Sequence, residues 1–215
     1  DAEADDPRFP AYTDIENLAR YPDVLRVGES VHITEKIHGA NGRFAWYDGR
    51  LWVGSHRNAQ RDVAETPTLW WRVARQYNME TKCQMSPGLI LHGEVYGQVQ
   101  DLRYGAGQGQ LFLAIFDVSS VEGKTYLDAL SCRDLCKTLD LPYVPVLEHE
   151  ICWDPGLTAL MNGPSVAASS HGADHTREGI VIRPVHERWD ERCGRAIFKC
   201  VGSDYRLRKG GAEWY

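Results

Sequence analysis

The sequence predicts an α+β fold built on antiparallel β-sheets, and two observations lead to this prediction. First, the predicted strands come mostly in consecutive pairs with helices between the pairs, and the regular strand–helix alternation of a parallel sheet is lacking. Second, Asp48-Gly49 separates two runs rich in aromatic and β-branched residues. This dipeptide is a strong hairpin signal, because glycine accepts the positive φ that a primed turn needs.

The first third of the chain is predicted to contain a short helix and three strands. The helix begins after Asp14, a favoured N-cap residue, within the segment Phe9–Tyr21. Val31–Thr34 alternates apolar and polar residues and is therefore predicted to be a strand. Arg43–Tyr47 and Leu51–Gly54 flank the turn and form the two strands of the hairpin.

The middle of the chain is predicted to hold a pair of strands between two helices. The first helix covers Thr66–Asn78, with Pro67 in its first turn, where proline is tolerated. Leu89–Tyr96 and Leu111–Val118 are apolar strand candidates separated by a polar, Gly-rich loop. The second helix covers Leu127–Leu139, where leucines recur near helical spacing.

The last third is predicted to hold three strands and a short helix. The first strand opens at Val144, and a helix over Leu157–Met161 ends at Asn162-Gly163. Gly179–Val185 and Ala196–Val201 are the two remaining strands.

Composition limits the class of protein. The chain has 215 residues, 43% of them hydrophobic, which is enough for one large domain or two small ones. A net charge of −6 argues against nonspecific coating of DNA, but it is compatible with a nucleic-acid enzyme that has a local basic groove. No signal peptide or bilayer-spanning apolar run is recognised, so we expect a cytoplasmic protein with reduced thiols and no membrane partner.

Two pairs of possible metal ligands are better explained without a metal. Cys132 and Cys136 are four residues apart on a predicted helix, which favours burial on one helix face. His171 and His175 lie in a Gly- and Ala-rich loop without a third ligand, so we interpret them as surface histidines.

Lys36, in the run Thr34–Asn41 (TEKIHGAN), is the candidate nucleophile. A free lysine amine has a pKa of about 10.4 and is protonated at neutral pH. Neighbouring cations, a metal ion or desolvation favour the neutral amine, which is able to attack the α-phosphorus of ATP. The alternative is a lysine that only pairs with a phosphate or a carboxylate. Gly39 suits a tight turn, and Asn41 either orients a metal-bound water or satisfies that turn.

Two residues on predicted strands are candidates for binding a nucleoside. Glu94, in Leu91-His92-Gly93-Glu94, is placed to accept from ribose hydroxyls, or it is an exposed strand glutamate. Phe116 is able to stack on a base, although a strand phenylalanine more often belongs to the core.

Three charged residues are candidates for binding phosphate or metal. Glu178, in Arg177–Ile182 (REGIVI), is able to bind Mg²⁺, although a glutamate before a strand usually faces solvent. Lys199, in Ile197–Cys200 (IFKC), is able to hold an α-phosphate, or it protects a sheet edge. Arg57 suits phosphate recognition, although loop arginines are usually solvated.

Four of the segments above resemble motifs I, III, IV and V of the covalent nucleotidyltransferases, and within them the ATP-dependent RNA ligases of the RNA ligase 2-like group. In chain order they are Thr34–Asn41, Leu91–Glu94, Arg177–Ile182 and Ile197–Cys200. Phe9–Val24, Gly93–Gly105 and Leu141–Leu147 are similar to the Deinococcus-type RNA ligases. The resemblance implies an adenylyltransferase domain over residues 9–215, with ATP between two antiparallel sheets that have flanking helices, a fold related to the ATP-grasp ligases. It also implies that residues 1–8 are a flexible acidic N-terminus and that the parent chain carries an N-terminal OB-like module.

The same resemblance implies roles for individual residues. Lys36 would accept AMP, and Lys199 would contact the α-phosphate. Glu94 would contact the ribose and Phe116 the adenine. Arg57 would contact the nucleotide or an RNA 5′-phosphate. The implied catalytic residues are Lys36, Glu178 and Lys199; the implied metal-binding residues are Asn41 and Glu178; the implied nucleotide-binding residues are Glu35, at the adenine edge, Lys36, Ile37, Asn41, Arg57, Glu94, Phe116 and Lys199.

One position departs from the family pattern. Many relatives have a second lysine two positions after the first lysine of motif V, and this chain has Val201 there. Either one lysine suffices, or the charge comes from Arg206, Arg208 or Lys209.

The expected activity is that of a monomeric RNA ligase that uses ATP and Mg²⁺ or Mn²⁺. The enzyme would self-adenylylate on Lys36, transfer AMP to a 5′-phosphate and seal a 3′-hydroxyl, at nicks in RNA-containing duplexes. The alternatives are a DNA ligase, a GTP-dependent capping enzyme, and a nucleotide- or RNA-binding module without turnover.

Overall fold

The structure is a computed structural model that describes residues 2–208, and it confirms an α+β architecture. The strands are β1 (Glu16–Asn17), β2 (Ser30–Lys36), β3 (Ala40–Tyr47), β4 (Arg50–Gly54), β5 (Leu89–Gly97), β6 (Leu111–Ser120), β7 (Val146–Cys152), β8 (Gly179–Pro184), β9 (Trp189–Asp190), β10 (Gly194–Arg195) and β11 (Phe198–Val201). The α-helices are α1 (Leu69–Gln76), α2 (Met79–Gln84), α3 (Ala129–Thr138), α4 (Val166–Ser170) and α5 (Ser203–Leu207), and short 3-10 helices lie at Leu18–Arg20 and Pro155–Met161.

Two sheets form the body of the fold. Sheet A has five strands in the order β1-β11-β8-β2-β7, and sheet B has four strands in the order β4-β3-β5-β6. Neighbouring strands are antiparallel, apart from the short parallel pair β1–β11. A separate two-stranded hairpin, β9–β10, follows β8. The predicted antiparallel sheets with flanking helices are therefore confirmed.

The β3–β4 hairpin forms as its turn residues predict. Asp48 and Gly49 both have positive φ, 51° and 71°, which matches the right-handed twist of the flanking strands. Tyr47 pairs with Arg50 across the turn. The predicted strands at Val31–Thr34, Leu89–Tyr96 and Leu111–Val118 are likewise confirmed within β2, β5 and β6.

The predicted helix start at Asp14 is wrong. Asn17 caps the short 3-10 helix instead, its side chain accepting from the Ala19 N–H. The preceding residues are held in an extended conformation because Glu16 pairs with Phe198 of β11. This long-range strand pairing overrides the local capping preference.

Two other predicted boundaries shift for identifiable reasons. Helix α1 begins at Leu69 rather than Thr66, because the Thr68 side chain accepts from the Trp71 N–H and so makes Thr68 the N-cap. Strand β7 begins at Val146, since the preceding Val144 bonds to Ile115 of sheet B.

Apolar residues cover one face of each sheet and leave the other face for the site. Val31 and Ile33 of β2 pack with Ile180 and Ile182 of β8 in one core cluster. Sheet B packs against α1, α2 and α3 in a second cluster. Side chains alternate along a strand, so the residues between these core positions point to the opposite face. Cys132 and Cys136 are buried on α3, as predicted, and all six cysteines are free thiols.

A buried group of charges joins the two sheets. Asp117 of β6 is fully buried and accepts from Arg183 of β8 at 3.0 Å and from Arg195 of β10 at 2.6 Å. The Tyr12 hydroxyl donates to the same carboxylate at 2.6 Å. Burial alone would raise the pKa of Asp117, but the two guanidinium groups outweigh it and hold the pKa well below its usual value. We call these four residues the inter-sheet ion network.

The N-terminal residues and the helices complete the fold. Ala2 forms a β-bridge with Gln60, Glu3 pairs with Arg50 and Arg8 pairs with Asp48, so residues 2–8 contact the β3–β4 region. The division of the chain at residue 8 stays a prediction. Within residues 2–208, no helix has the length and apolar character needed to cross a bilayer.

Replacing Asp117 by Asn should destabilise the protein by about 3–5 kcal/mol, because it removes the buried charge shared by two guanidinium groups and leaves Glu187 as their anionic partner. Urea denaturation followed by circular dichroism measures this change. The matched control is Asp62→Asn, which breaks a half-exposed pair with Arg75 and should cost less than about 1 kcal/mol. An equal loss in the two variants would contradict the proposed importance of the network.

Candidate active site

A cavity of about 610 Å³ lies between sheets A and B, and strands of both sheets line it. This volume is in the range of sites that bind small molecules. Sheet A contributes residues of β1, β2, β8 and β11, and sheet B contributes residues of β3, β5 and β6. Seven of the sequence-predicted residues line the cavity: Glu35, Lys36, Ile37, Asn41, Glu94, Phe116 and Lys199.

Lys36 is the last residue of β2 and projects into this cavity. Its Nζ donates to Oε1 of Glu178 at 2.6 Å, and its side chain is 23% exposed. The turn after it requires Gly39, because a Cβ at that position would lie 2.2 Å from the Val95 carbonyl oxygen of β5. The glycine thus lets the loop from β2 to β3 pass close to sheet B.

Glu178 is fully buried, so its interpretation as a solvent-facing residue is wrong. Its second carboxylate oxygen lies 3.6 Å from Nδ1 of His38, whose Nε2 lies 3.0 Å from Asp101. Burial alone would raise the pKa of Glu178, but the neighbouring His38 and Lys36 outweigh it, and the net pKa is lowered. Burial would lower the pKa of His38, but Glu178 and Asp101 raise it overall. Glu178 is therefore an anion that accepts from Lys36 and lies beside His38, and its buried Oε2 accepts no hydrogen bond from residues 2–208.

Asn41 and Glu94 face each other on neighbouring strands of sheet B. They are directly paired in the β3–β5 register, and both line the cavity. The Asn41 Oδ1 is buried and accepts no hydrogen bond from residues 2–208, so a ligand donor or a cation would satisfy it. Removal from water raises the pKa of Glu94 to about 8, and the nearby Glu178 carboxylate acts in the same direction. Glu94 is thus mostly neutral at pH 7 and is able both to donate and to accept.

Lys199 does not protect a sheet edge. Its strand, β11, lies between β1 and β8, and the lysine side chain lines the cavity. Val201, two residues further on the same strand, is buried and also lines the cavity. Of the three cations suggested as replacements for a second lysine, Arg206 lines the cavity and Arg208 pairs with Asp101 instead. Lys209 lies outside the described residues.

Phe116 and Ile37 supply apolar surface to the cavity. Phe116 is half-buried and packs edge-on against the Tyr12 ring, with 5.1 Å between the ring centroids. Its ring therefore belongs to the wall of the cavity rather than to the interior of a core. Ile37 is buried in the cluster that includes Tyr96 and Val144.

Glu35 does not present its carboxylate to the cavity. The side chain is buried and accepts from the Ser165 hydroxyl and from the backbone N–H groups of Val166 and Ala167, at the start of α4. The predicted contact of Glu35 with an adenine edge is thus limited to its backbone. This cap could not be predicted from the sequence, because α4 is only five residues long.

Arg57 is the one predicted site residue that neither lines the cavity nor contacts Lys36. It is exposed in the loop after β4 and does not line the cavity, whereas the adjacent His56 does. The family resemblance implies a nucleotide or phosphate contact for Arg57, but its exposed position fits the solvated loop arginine that the local sequence favours.

The family of the chain can now be stated. The family model for RNA ligases matches residues 29–201, which include Lys36, Glu94, Glu178 and Lys199. The chain belongs to the RNA ligase family. No curated protein gave a significant match to it.

Solved RNA ligase structures share the fold of this RNA ligase family member. A mutant of the Naegleria gruberi RNA ligase in the apo form aligns with a TM-score of 0.77 at 22% identity, covering 95% of this chain and 59% of the other. The same enzyme with PPi aligns with a TM-score of 0.77 at 21% identity, with the same coverage. A mutant with ATP and Mn aligns with a TM-score of 0.75 at 20% identity, again covering 95% and 59%. The chain thus spans about three-fifths of these neighbours.

Sequence reasoning missed the N-terminal wall of the cavity in this RNA ligase family member. Residues between Tyr12 and Arg20 line the cavity, held there by the Tyr12–Asp117 hydrogen bond and the β1–β11 pairing. It also missed His38, although this residue stands in the same motif as Lys36. The segment from Tyr12 to Arg20 has neither helical nor strand periodicity, so only its three-dimensional contacts identify it as a wall of the cavity.

The donor set around Lys36 fits a divalent cation that is bound together with phosphates. Mg²⁺ usually takes one or two carboxylates plus substrate phosphates and water. Glu178 supplies a carboxylate, and Asn41 supplies a buried oxygen without a donor. Within residues 2–208, no group of three His, Cys, Asp or Glu side chains could hold a metal ion. His171, one of the two histidines considered as possible metal ligands, stacks on the Phe112 ring, with 3.7 Å between ring centroids.

Replacing Glu94 by Gln should remove a pH-dependent loss of stability. Because the folded-state pKa is about 8 and the ordinary value is 4.5, the unfolded chain releases this proton first. Stability contributed by the protonated group is therefore present below the ordinary pKa and is lost as pH rises through the folded pKa. The melting temperature of Glu94→Gln relative to wild type should rise by several degrees between about pH 5 and pH 9.

The control for this pH experiment is Glu150→Gln, which changes an exposed strand glutamate. Its difference from wild type should stay constant over the same pH range. A constant difference for Glu94→Gln as well would show that Glu94 titrates normally in the folded protein.

Proposed function

We propose that the chain is the catalytic core of an ATP-dependent RNA ligase that works through a covalent lysyl-AMP intermediate. The observation that carries this proposal is the position of Lys36, whose Nζ enters a nucleotide-sized cavity beside Glu178 at 2.6 Å. Lys199 lines the same cavity from β11 of sheet A. Membership of the RNA ligase family supports the reaction class.

In the first step, Lys36 attacks the α-phosphorus of ATP. The ammonium first loses a proton to water, and the neutral Nζ then forms an N–P bond while the bond from the α-phosphorus to the bridging oxygen breaks. The nitrogen releases a second proton to water, which leaves the neutral phosphoramidate N–H. Pyrophosphate leaves with the electron pair of that bond. Lys199 stabilises the charge that builds up on the α-phosphate.

Sheet B binds the nucleoside. Phe116 offers a ring face to the base, and stacking of this kind tolerates different bases. Glu94 bonds the ribose hydroxyls, and its raised pKa lets it donate as well as accept. Asn41 lies on β3 opposite Glu94, close to the turn that connects Lys36 of β2 to β3.

A divalent cation belongs to the proposed reaction. The structural neighbours include an RNA ligase with ATP and Mn. In this chain Glu178 and Asn41 would hold the ion or its waters. When bound, the ion supplies neutralisation of the phosphate charge.

The two later steps use the AMP carried by Lys36. An oxygen of an RNA 5′-phosphate attacks the AMP phosphorus, and a 5′–5′ anhydride forms as the N–P bond breaks. The Lys36 nitrogen takes up a proton from water and leaves as the amine. The 3′-hydroxyl of the adjoining strand then attacks the 5′-phosphate, loses its proton, and releases AMP as the phosphodiester forms. In each step positioning and charge stabilisation provide most of the catalysis.

Incubation with ATP and Mg²⁺ should add one adenylate to the wild-type chain, because Lys36 is the nucleophile. Intact-mass spectrometry measures the adduct, which should be lost on acid treatment. Lys36→Ala and Lys36→Arg should both abolish it. The arginine variant keeps the charge beside Glu178 but lacks a nucleophilic amine. An adduct on either variant would contradict the mechanism, and an adduct formed only from GTP would indicate a capping enzyme.

The proposed substrate is a nicked duplex with RNA at the 3′-hydroxyl side. We expect faster sealing of a 5′-phosphate nick with an RNA 3′-end than of the same nick with a DNA 3′-end, as followed by denaturing electrophoresis. Equal or reversed rates would favour a DNA ligase.

A further inference from the structure

Arg206 is an uncompensated cation in the wall of the cavity. Three arginines line this cavity: Arg20, Arg183 and Arg206. Arg20 lies 3.3 Å from Glu16, and Arg183 lies 3.0 Å from Asp117. Arg206 forms no ion pair with any of residues 2–208, although it is exposed and lines the cavity. It follows Tyr205, whose ring lies 5.7 Å from that of His38, the neighbour of Glu178. A guanidinium group in this position is available to an anionic ligand.

The backbone around Arg206 is fixed, so its place in the wall is defined. Helix α5 follows β11 directly, and the Gly202 N–H bonds to the Glu178 carbonyl oxygen at 2.8 Å. Tyr205, the preceding residue, is fully buried and anchors the helix in the core. Arg208, two residues later, is turned to Asp101 instead. Of these two arginines, Arg206 is therefore the one directed at the cavity.

In the proposed reaction, ATP carries more negative charge than Lys36 and Lys199 neutralise. Lys36 acts on the α-phosphate, and Lys199 lies two residues before Val201 on the same face of β11. Val201 is buried and apolar, so β11 offers no charge beyond Lys199. ATP places two further phosphate groups beyond the α-phosphate. A guanidinium fork suits them, because it donates two parallel hydrogen bonds to phosphate oxygens.

We propose that Arg206 binds the β- and γ-phosphates of ATP and stabilises pyrophosphate as it leaves. This inference rests on the proposed function, since it assigns a residue to the first step of that reaction. As the Lys36 N–P bond forms, the bond from the α-phosphorus to the bridging oxygen breaks and charge moves onto pyrophosphate. The Arg206 guanidinium stabilises this charge, so it contributes to binding of ATP and to its reaction with Lys36, and not to binding of AMP.

The first test compares rates of self-adenylylation at limiting ATP. Arg206→Ala should slow the reaction by about ten- to a hundredfold, as expected for the loss of a charged hydrogen bond. Arg206→Lys should recover part of the rate because it keeps the charge. Arg192→Ala, which removes an exposed arginine outside the cavity, should react like wild type. A wild-type rate for Arg206→Ala would overturn the proposal.

The second test measures binding of ATP and of AMP in a Lys36→Ala background, where no adduct can form. Adding Arg206→Ala should weaken binding of ATP by about tenfold or more and leave binding of AMP unchanged. Equal weakening for both ligands would overturn the assignment to the β- and γ-phosphates. Weakened binding of a nicked RNA duplex with unchanged binding of ATP would place Arg206 at the nucleic acid instead and would also overturn it.

Failure of this proposal is distinguishable from failure of the proposed function. If wild type forms no adenylate and binds no ATP, the ligase mechanism fails and Arg206 has no part to play. If wild type reacts and Arg206→Ala matches it, only the role of Arg206 fails. Thermal unfolding of each variant checks the fold, and the Arg206→Lys variant keeps the comparison valid if alanine disturbs α5.

Discussion

The separation of the two sheets is the constraint on which the rest of the structure depends, and the inter-sheet ion network fixes it. Asp117 of sheet B is held by Arg183 of sheet A and by Arg195 of the β9–β10 hairpin, all buried. A buried carboxylate is tolerated only where its partners are well placed, so the network resists any sliding of one sheet on the other. Phe116 is adjacent to Asp117, and Tyr12 begins the N-terminal wall, so the network also positions two sides of the cavity.

The second buried carboxylate, Glu178, lies at the reactive end and has a different relation to its partners. Its pairing with Lys36 and His38 compensates for burial in the resting protein, but in the proposed reaction Lys36 is also the group that attacks. A buried ion pair is costly to break unless another charge takes the place of the departing one. Phosphates and a cation offer such a replacement, since each brings a charge of the sign that the separated partners need. The resting pair is thus compatible with a site that becomes reactive only when it is filled.

Sequence patterns predicted the parts of the fold that depend on local chemistry. The hairpin turn follows from two adjacent residues with positive φ, and Lys36, Asn41, Glu94, Phe116 and Lys199 reach the cavity because they stand on or beside predicted strands. The β1–β11 pairing, the burial of Glu178 and the cap that Glu35 provides for α4 depend on residues far apart in the chain. Short elements such as α4 and β9–β10 are below the length at which periodicity is informative.

On the proposed function, the two sheets supply different chemistry to the same ligand, and their spacing therefore matters more than any single residue. Sheet A carries the cations Lys36 and Lys199, and sheet B carries Glu94 and Phe116. In the proposed reaction a nucleotide contacts both walls at once, with its phosphates on one and its base and ribose on the other. Misplacement by about 1 Å can cost a hundredfold in rate, and only a rigid connection between the sheets prevents it. The buried charges around Asp117, remote from the reacting atoms, therefore contribute to catalysis through geometry.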